Sequence, residues 1–176
     1  MDKTLLIFGF GFSAGAIARL LIPQGWRIIG TTRKPEKAEA MRGAGVEPLI
    51  WPGEDPRPAL AQASHLLISA GPDEAGDPVL RELRADIAVA SHLAWVGYLS
   101  TTGIYGDHQG GWVDETTPPT PSTRRGEKRV RAEAEWVEVC AQGGLGLHIF
   151  RLAGIYGPGR GPFAKVRAGT ARRIIK

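Results

Sequence analysis

Residues 4–14 read TLLIFGFGFSA, and the fold turns on how this stretch is interpreted. Thr4 to Phe8 is a short apolar run that stops at glycine, the pattern of a strand buried on both faces of a parallel sheet. Gly9, Gly11 and Ala14 then keep the G-x-G-x-x-G/A spacing, and Ile17, Leu20 and Leu21 follow at helical intervals. Gly9 permits a tight turn, Gly11 leaves the backbone bare for a pyrophosphate, and Ala14 lets the helix pack closely on the strand. The expected anion site is the start of that helix, with Ser13 as its N-cap and Gly9, Phe10, Gly11, Phe12, Ser13 and Ala14 as cofactor-binding residues. A glycine-rich turn that serves packing alone is the competing reading.

Outward from this loop, strands and helices alternate. Strands are expected at Arg27 to Thr32, Val46 to Ile50, His65 to Ser69, Trp95 to Ser100 and Leu147 to Leu152. Helices are expected at Pro35 to Arg42, at Ala59 to Ala63 as a short turn, around Val79, Leu83, Ile87 and Ala90, and from Arg125 to Gln142. Val130, Ala134, Val137 and Ala141 form the expected buried stripe of the last helix, with Cys140 beside it as a core residue. A Gly/Pro/Thr-rich loop covers Gly103 to Thr123. Such alternation implies right-handed crossovers and a Rossmann-type, doubly wound parallel α/β sheet with helices on both faces. The 176 residues suit one NAD(P)-binding domain.

Composition narrows the function classes. Hydrophobic residues make up 43% and charged residues 23%, a balance that sustains a core. No apolar run approaches the ~20 residues of a membrane span, and no secretory signal is visible. With a single cysteine, Cys140, no internal disulfide is possible, so the expected location is cytoplasmic. The four histidines show no ligand spacing, and no metal is expected. Six basic residues from Arg160 onward exceed the whole net charge of +4, so residues 1–159 are net acidic. Without interleaved aromatics this cationic end reads as solvated, and nucleic acid is an unfavoured partner.

The end of the second strand bears on cofactor choice. An NAD-binding fold places an acid ~20 residues past the glycine loop, on the ribose 2′-hydroxyl. Here the chain reads Thr31-Thr32-Arg33-Lys34, with no carboxylate before Glu36. Arg33 offers a fork of donors and Thr32 a hydroxyl, so NADP is expected ahead of NAD. A solvated charge at a strand end is the plainer alternative. Ser69, Ala70 and Gly71, just past the fourth strand, are expected to line the same crevice.

Later segments carry a family likeness. STTGIYG at residues 100–106, VDE at 113–115 with Pro118 and Pro121, and RLAGIYGPG at 151–159 together resemble the extended short-chain dehydrogenases/reductases, the NAD(P)-dependent epimerases and dehydratases of nucleotide sugars. With the glycine loop, the resemblance spans nearly the whole chain. It implies a small-molecule, nucleotide-sugar-like substrate, and Thr101 at the position of the family's catalytic Ser/Thr. It also implies a homodimer formed through the helices near Val79 to His92 and Arg125 to Gln142. The likeness fails at the family's Tyr-x-x-x-Lys, where this chain has Arg125 and Arg129. A guanidinium stays protonated at any working pH, so Arg125 cannot supply the tyrosine's proton. Arg129 retains the donors that a ribose contact requires. Tyr105 reads either as a packing tyrosine or as a substitute acid, and Thr101 either as a substrate ligand or as a strand-end hydroxyl bonded to backbone.

Family members continue well beyond the Tyr156-Gly-Pro158 segment into parts that enclose the substrate, so the substrate half is expected to be largely absent from this chain. Two functions follow. One is an NADP(H)-binding oxidoreductase or epimerase-like enzyme with an altered catalytic helix, in which Thr101, Tyr105 and Arg129 form the candidate catalytic set. The other is a catalytically silent NADP(H)-binding sensor or scaffold.

Overall fold

The apolar run at the start of the chain forms the centre of the molecule in a computed structural model that describes residues 3–172. Strand β1 (Thr4–Phe8) is buried along its whole length, as a strand covered on both faces must be. It pairs in parallel with β2 (Arg27–Thr32) on one side and β4 (His65–Ile68) on the other. β3 (Val46–Ile50), β5 (Trp95–Thr101) and β6 (Leu147–Leu152) extend the sheet to the order β3-β2-β1-β4-β5-β6, every pair parallel. The order reverses beside β1, which opens a crevice beyond the carboxyl ends of β1 and β4.

Helix α1 (Phe12–Leu21) and α2 (Ala38–Gly43) cover one face, where Ala14 and Ala18 meet Leu5, Ile7, Ile28 and Leu67. Helices α3 (Arg57–Gln62), α4 (Pro78–Ala88) and α5 (Arg124–Gly143) cover the other, around Leu66, Ile68, Leu83, Tyr98 and Trp136. A short α6 (Pro162–Arg167) follows β6. No helix among the described residues is long and apolar enough to cross a membrane.

Local expectations needed correction at two points. Ser13 does not cap α1. Gly11, extended at φ −111°, is the N-cap and makes no side-chain hydrogen bond, which puts Ser13 inside the helix. The second correction concerns the buried face of α5, which consists of Gly126, Ala132, Glu133, Trp136, Val139 and Cys140. Val137 is instead 52% exposed and Ala134 and Ala141 are exposed. The cause is electrostatic and steric together. Glu133 turns inward because Arg151 meets it there, and Trp136 follows on the same face to fill the space against Tyr98, ring centroids 6.1 Å apart. Cys140 is buried as expected, and burial pushes its thiol pKa up to about 11.

Candidate functional site

Two backbone contacts shape the crevice. Ser69 and Ala70 both donate their amides to the Phe8 carbonyl at 2.8 Å, drawing the turn after β4 onto the glycine loop. Gly9 sits at φ +90°, and a Cβ there would lie 2.7 Å from the Ala70 nitrogen, so glycine is required twice over. On the other side, the Gly9 amide donates to Thr31 Oγ1 and the Phe10 amide to the Thr31 carbonyl, both at 2.8 Å. Gly11 has nothing within 4 Å of an added Cβ and faces open space. The first turn of α1 holds no acid, and its first i to i−4 bond runs from the Gly15 amide to the Gly11 carbonyl. The amides of Phe12, Ser13 and Ala14 therefore have no intrahelical acceptor.

The resulting cleft has a volume of about 990 Å³. Gly9, Phe10, Gly11, Thr32, Arg33, Ser69, Ala70 and Gly71 line it, so eight of the residues singled out from sequence share one cavity. Phe12, Ser13 and Ala14 are not in its lining; Ala14 is wholly buried between helix and sheet. Sequence reasoning missed Lys34, Lys37, Trp51 and Arg81. The two lysines extend the basic run at 33–37 and could have been read from it. Trp51 and Arg81 arrive from distant elements, and no local pattern marks them. One wall of the rim is cationic, with Arg33, Lys34 and Lys37 exposed on it, whereas Arg81 on the other is paired with Asp73 at 2.8 Å. The Trp51 indole closes the floor, donating to Glu82 Oε2 at 2.8 Å.

Of the candidate catalytic residues only Arg129 borders this cleft; Thr101 ends β5, Tyr105 lies on the segment after it, and neither is in the cleft lining. Arg129 reaches out of α5, donates to the Leu99 carbonyl at 2.6 Å and to the Tyr98 hydroxyl at 3.2 Å, and lies over the Tyr98 ring at 5.6 Å. Its Nη2 is 3.0 Å from where a Cβ on Gly71 would stand, so the guanidinium borders the cleft wall. Arg125, in the tyrosine position of the family frame, is exposed. Thr101 Oγ1 accepts the Gly103 amide at 3.1 Å, which leaves its hydroxyl proton free to donate.

Tyr105 is part of a buried chain of polar groups. Its hydroxyl donates to the Asp114 carbonyl and accepts from Arg151 Nη1, both at 2.8 Å. Arg151 also grips Glu133 Oε2 through Nη2 at 2.9 Å and Nε at 3.2 Å, and Glu133 Oε1 takes the Ser100 hydroxyl. Four elements, β5, the loop after it, α5 and β6, are thus tied by one network. A second buried group lies nearby. Asp77 caps α4 by accepting from the Val79 and Leu80 amides through Oδ1, while its Oδ2 and the Trp136 indole nitrogen each lack a partner within 3.5 Å. The indole N–H still favours the charged carboxylate, but burial outweighs it and raises the Asp77 pKa. Burial likewise pushes Tyr98 up to about 12. Among the described residues no group of three or more His, Cys, Asp or Glu side chains gathers as a metal site.

No family model matches the chain. Protein YeeZ of Escherichia coli (strain K12) is 35% identical over 174 residues, a match covering 91% of this chain and 61% of YeeZ. A solved structure of a functionally unknown conserved protein from Silicibacter pomeroyi DSS is 58% identical with a TM-score of 0.90, over 99% of this chain and 60% of that one. The chain therefore spans about three-fifths of the length of these relatives. UDP-glucuronic acid 4-epimerase from Bacillus cereus, solved in complex with NAD, superposes with a TM-score of 0.70 at 16% identity, over 88% of this chain and 57% of the epimerase. That likeness establishes the shared Rossmann-like fold.

Proposed function

We propose that the cleft binds a nicotinamide dinucleotide, NADP(H) ahead of NAD(H), and that the chain is the cofactor-binding part of an oxidoreductase or epimerase-like enzyme acting on a nucleotide-sugar-like small molecule. The observation that carries this reading is the cradle at Gly9 and Gly11. The amides at the start of α1 lack intrahelical acceptors, and Gly11 before them leaves the open approach bare of any side chain, as a diphosphate needs. The epimerase of the same fold, solved with NAD, supports the choice of ligand class. Gly9 to Ala14 would hold the diphosphate, Ser69 to Gly71 the face opposite it, and Thr32 with Arg33 the adenosine ribose and its 2′-phosphate. When bound, the nicotinamide supplies a hydride donor or acceptor.

The chain's own residues then divide the remaining work. Arg129, already anchored on Leu99 and Tyr98, keeps donors at the cleft wall for a ribose hydroxyl. Thr101 has its hydroxyl proton available to orient a substrate oxygen. One observation favours the second reading, a silent sensor or scaffold. The Tyr105 hydroxyl, 6% exposed as a residue, already has both a donor and an acceptor, and Arg125 cannot replace the missing tyrosine. Under the enzyme reading a proton must come from a substrate group or from water.

Two measurements separate these possibilities. Arg33→Ala should weaken NADPH by about tenfold or more, since a charged hydrogen bond is worth ~1.5–3 kcal/mol, and should leave NADH within about twofold. Equal losses for both cofactors would remove Arg33 from the site. NADPH oxidation over a panel of carbonyl compounds and nucleotide sugars then tests for catalysis: binding without turnover on any of them supports the sensor.

A further inference from the structure

Phe12 and Arg160 are far apart in the chain yet meet at the mouth of the glycine loop. After β6 the backbone turns back on itself, Gly157 donating to the Arg160 carbonyl at 2.8 Å and Arg160 to the Gly157 carbonyl at 2.9 Å. This closed turn lies directly on Phe12. A Cβ on Gly157 would be 2.9 Å from Phe12 Cζ, so the turn sits in close contact with the ring. The Arg160 guanidinium carbon stands 5.2 Å from the centre of the Phe12 ring. Stacking engages the face of a guanidinium and leaves its N–H edge unspent. Among the described residues Arg160 pairs with no carboxylate, as is also true of Arg33 and Arg129; what sets it apart is its place over a ring at the start of α1.

Phe12 is the first residue of α1, next to the amides that have no acceptor. We propose that Arg160 is a further anion ligand of this site, closing over the diphosphate bridge of the dinucleotide from the side opposite the glycine loop. The inference rests on the cofactor reading above and deepens it. The Phe12 ring and the Gly157–Arg160 turn together hold the arginine beside the helix start. Arg160 is therefore a cofactor-positioning residue rather than part of a solvated basic tail. The glycine loop supplies fixed dipoles on one side of the anion and Arg160 a full charge on the other, which together hold it better than either alone.

The test uses the full chain, Arg160→Ala and Arg160→Lys, titrated calorimetrically with NADPH, ADP-ribose and 2′-AMP. Arg160→Ala should weaken NADPH and ADP-ribose by about tenfold, which is ~1.4 kcal/mol, and leave 2′-AMP, which lacks the diphosphate, within about twofold. Arg160→Lys should fall between. Because Arg160 is exposed, all variants should share one melting temperature. Unchanged affinity for NADPH and ADP-ribose overturns the proposal, as does an equal loss for 2′-AMP, which would mark a general charge effect. If NADPH binding is unchanged but a UDP-sugar added to the NADPH complex binds more weakly, the anion belongs to the substrate and the proposal also fails. A wild-type chain that binds none of the three ligands instead removes the cofactor reading itself.

Discussion

Gly9 meets two independent demands, and each can be measured. Its φ of +90° is a conformation that side-chain-bearing residues reach only with strain, and the Ala70 nitrogen occupies the space that a Cβ would need. Gly9→Ala should therefore cost about 1–3 kcal/mol of stability and spread the turns after β1 and β4 apart. A melting point lower by ~2–4 °C for each kcal/mol and loss of NADPH affinity should appear together. Wild-type affinity in a destabilised variant would separate the cradle from the ligand. Cys140 gives a simpler case. With the thiol pushed up to about 11 and only 1% of the residue exposed, it should resist a thiol reagent at pH 8 until the chain unfolds. Rapid labelling of the native protein would show that the α5 face opens.

Helix α5 shows most clearly what an element's sequence conceals. Its span, expected from Arg125 to Gln142, follows from local chemistry, and the structure has it at Arg124–Gly143, where Thr123 Oγ1 accepts the Gly126 amide at 3.1 Å and Gly144 is left-handed. Which face turns inward does not follow, because hydrophobic spacing ranks Glu133 as a surface residue. Only Arg151, on β6, makes its burial tolerable, and that partner is invisible to any window along the helix. Glu133→Ala should accordingly strand a half-buried guanidinium and cost about 3–5 kcal/mol in denaturant unfolding. Replacing Glu133 and Arg151 together with leucine should cost less than the single change. A single-variant loss below about 1 kcal/mol would mean that the pair contributes nothing to fixing α5 on the sheet. The strands, by contrast, were readable to within a residue or two. β1 and β4 are buried apolar runs ended by a turn former, and burial on both faces leaves no ambiguity of register to resolve in them. In the cleft, residues on the loops that end β1, β2 and β4 were legible because the fold fixes where those loops go. Arg81 and Trp51 were not, since their presence depends on how α4 and the β3 end pack across the opening.

At the scale of the whole molecule the two sheet faces are unequally covered. α3, α4 and α5 clothe one face, whereas α1 and α2 lie over the β1 to β3 half of the other. There Trp95, on β5, stacks with His148 at 5.8 Å between ring centroids and lies 6.2 Å from Phe150, which is 43% exposed. Contiguous exposed rings drive association in water, at about 25 cal/mol for each Å² they bury. The chain should therefore self-associate with rising concentration, and Phe150→Lys should suppress this in light scattering while keeping NADPH affinity within about twofold, because neither Phe150 nor its ring neighbours line the cleft. A dimer formed through α4 and α5 would respond differently. Those helices already meet closely, since a Cβ on Gly143 would stand 2.8 Å from the Ala88 carbonyl, and Val137 is an exposed apolar residue of α5. Val137→Lys, and not Phe150→Lys, would then abolish the associated species. A chain that stays monomeric at every concentration, with both variants equally soluble, would show that neither surface holds enough apolar area to bind a second copy.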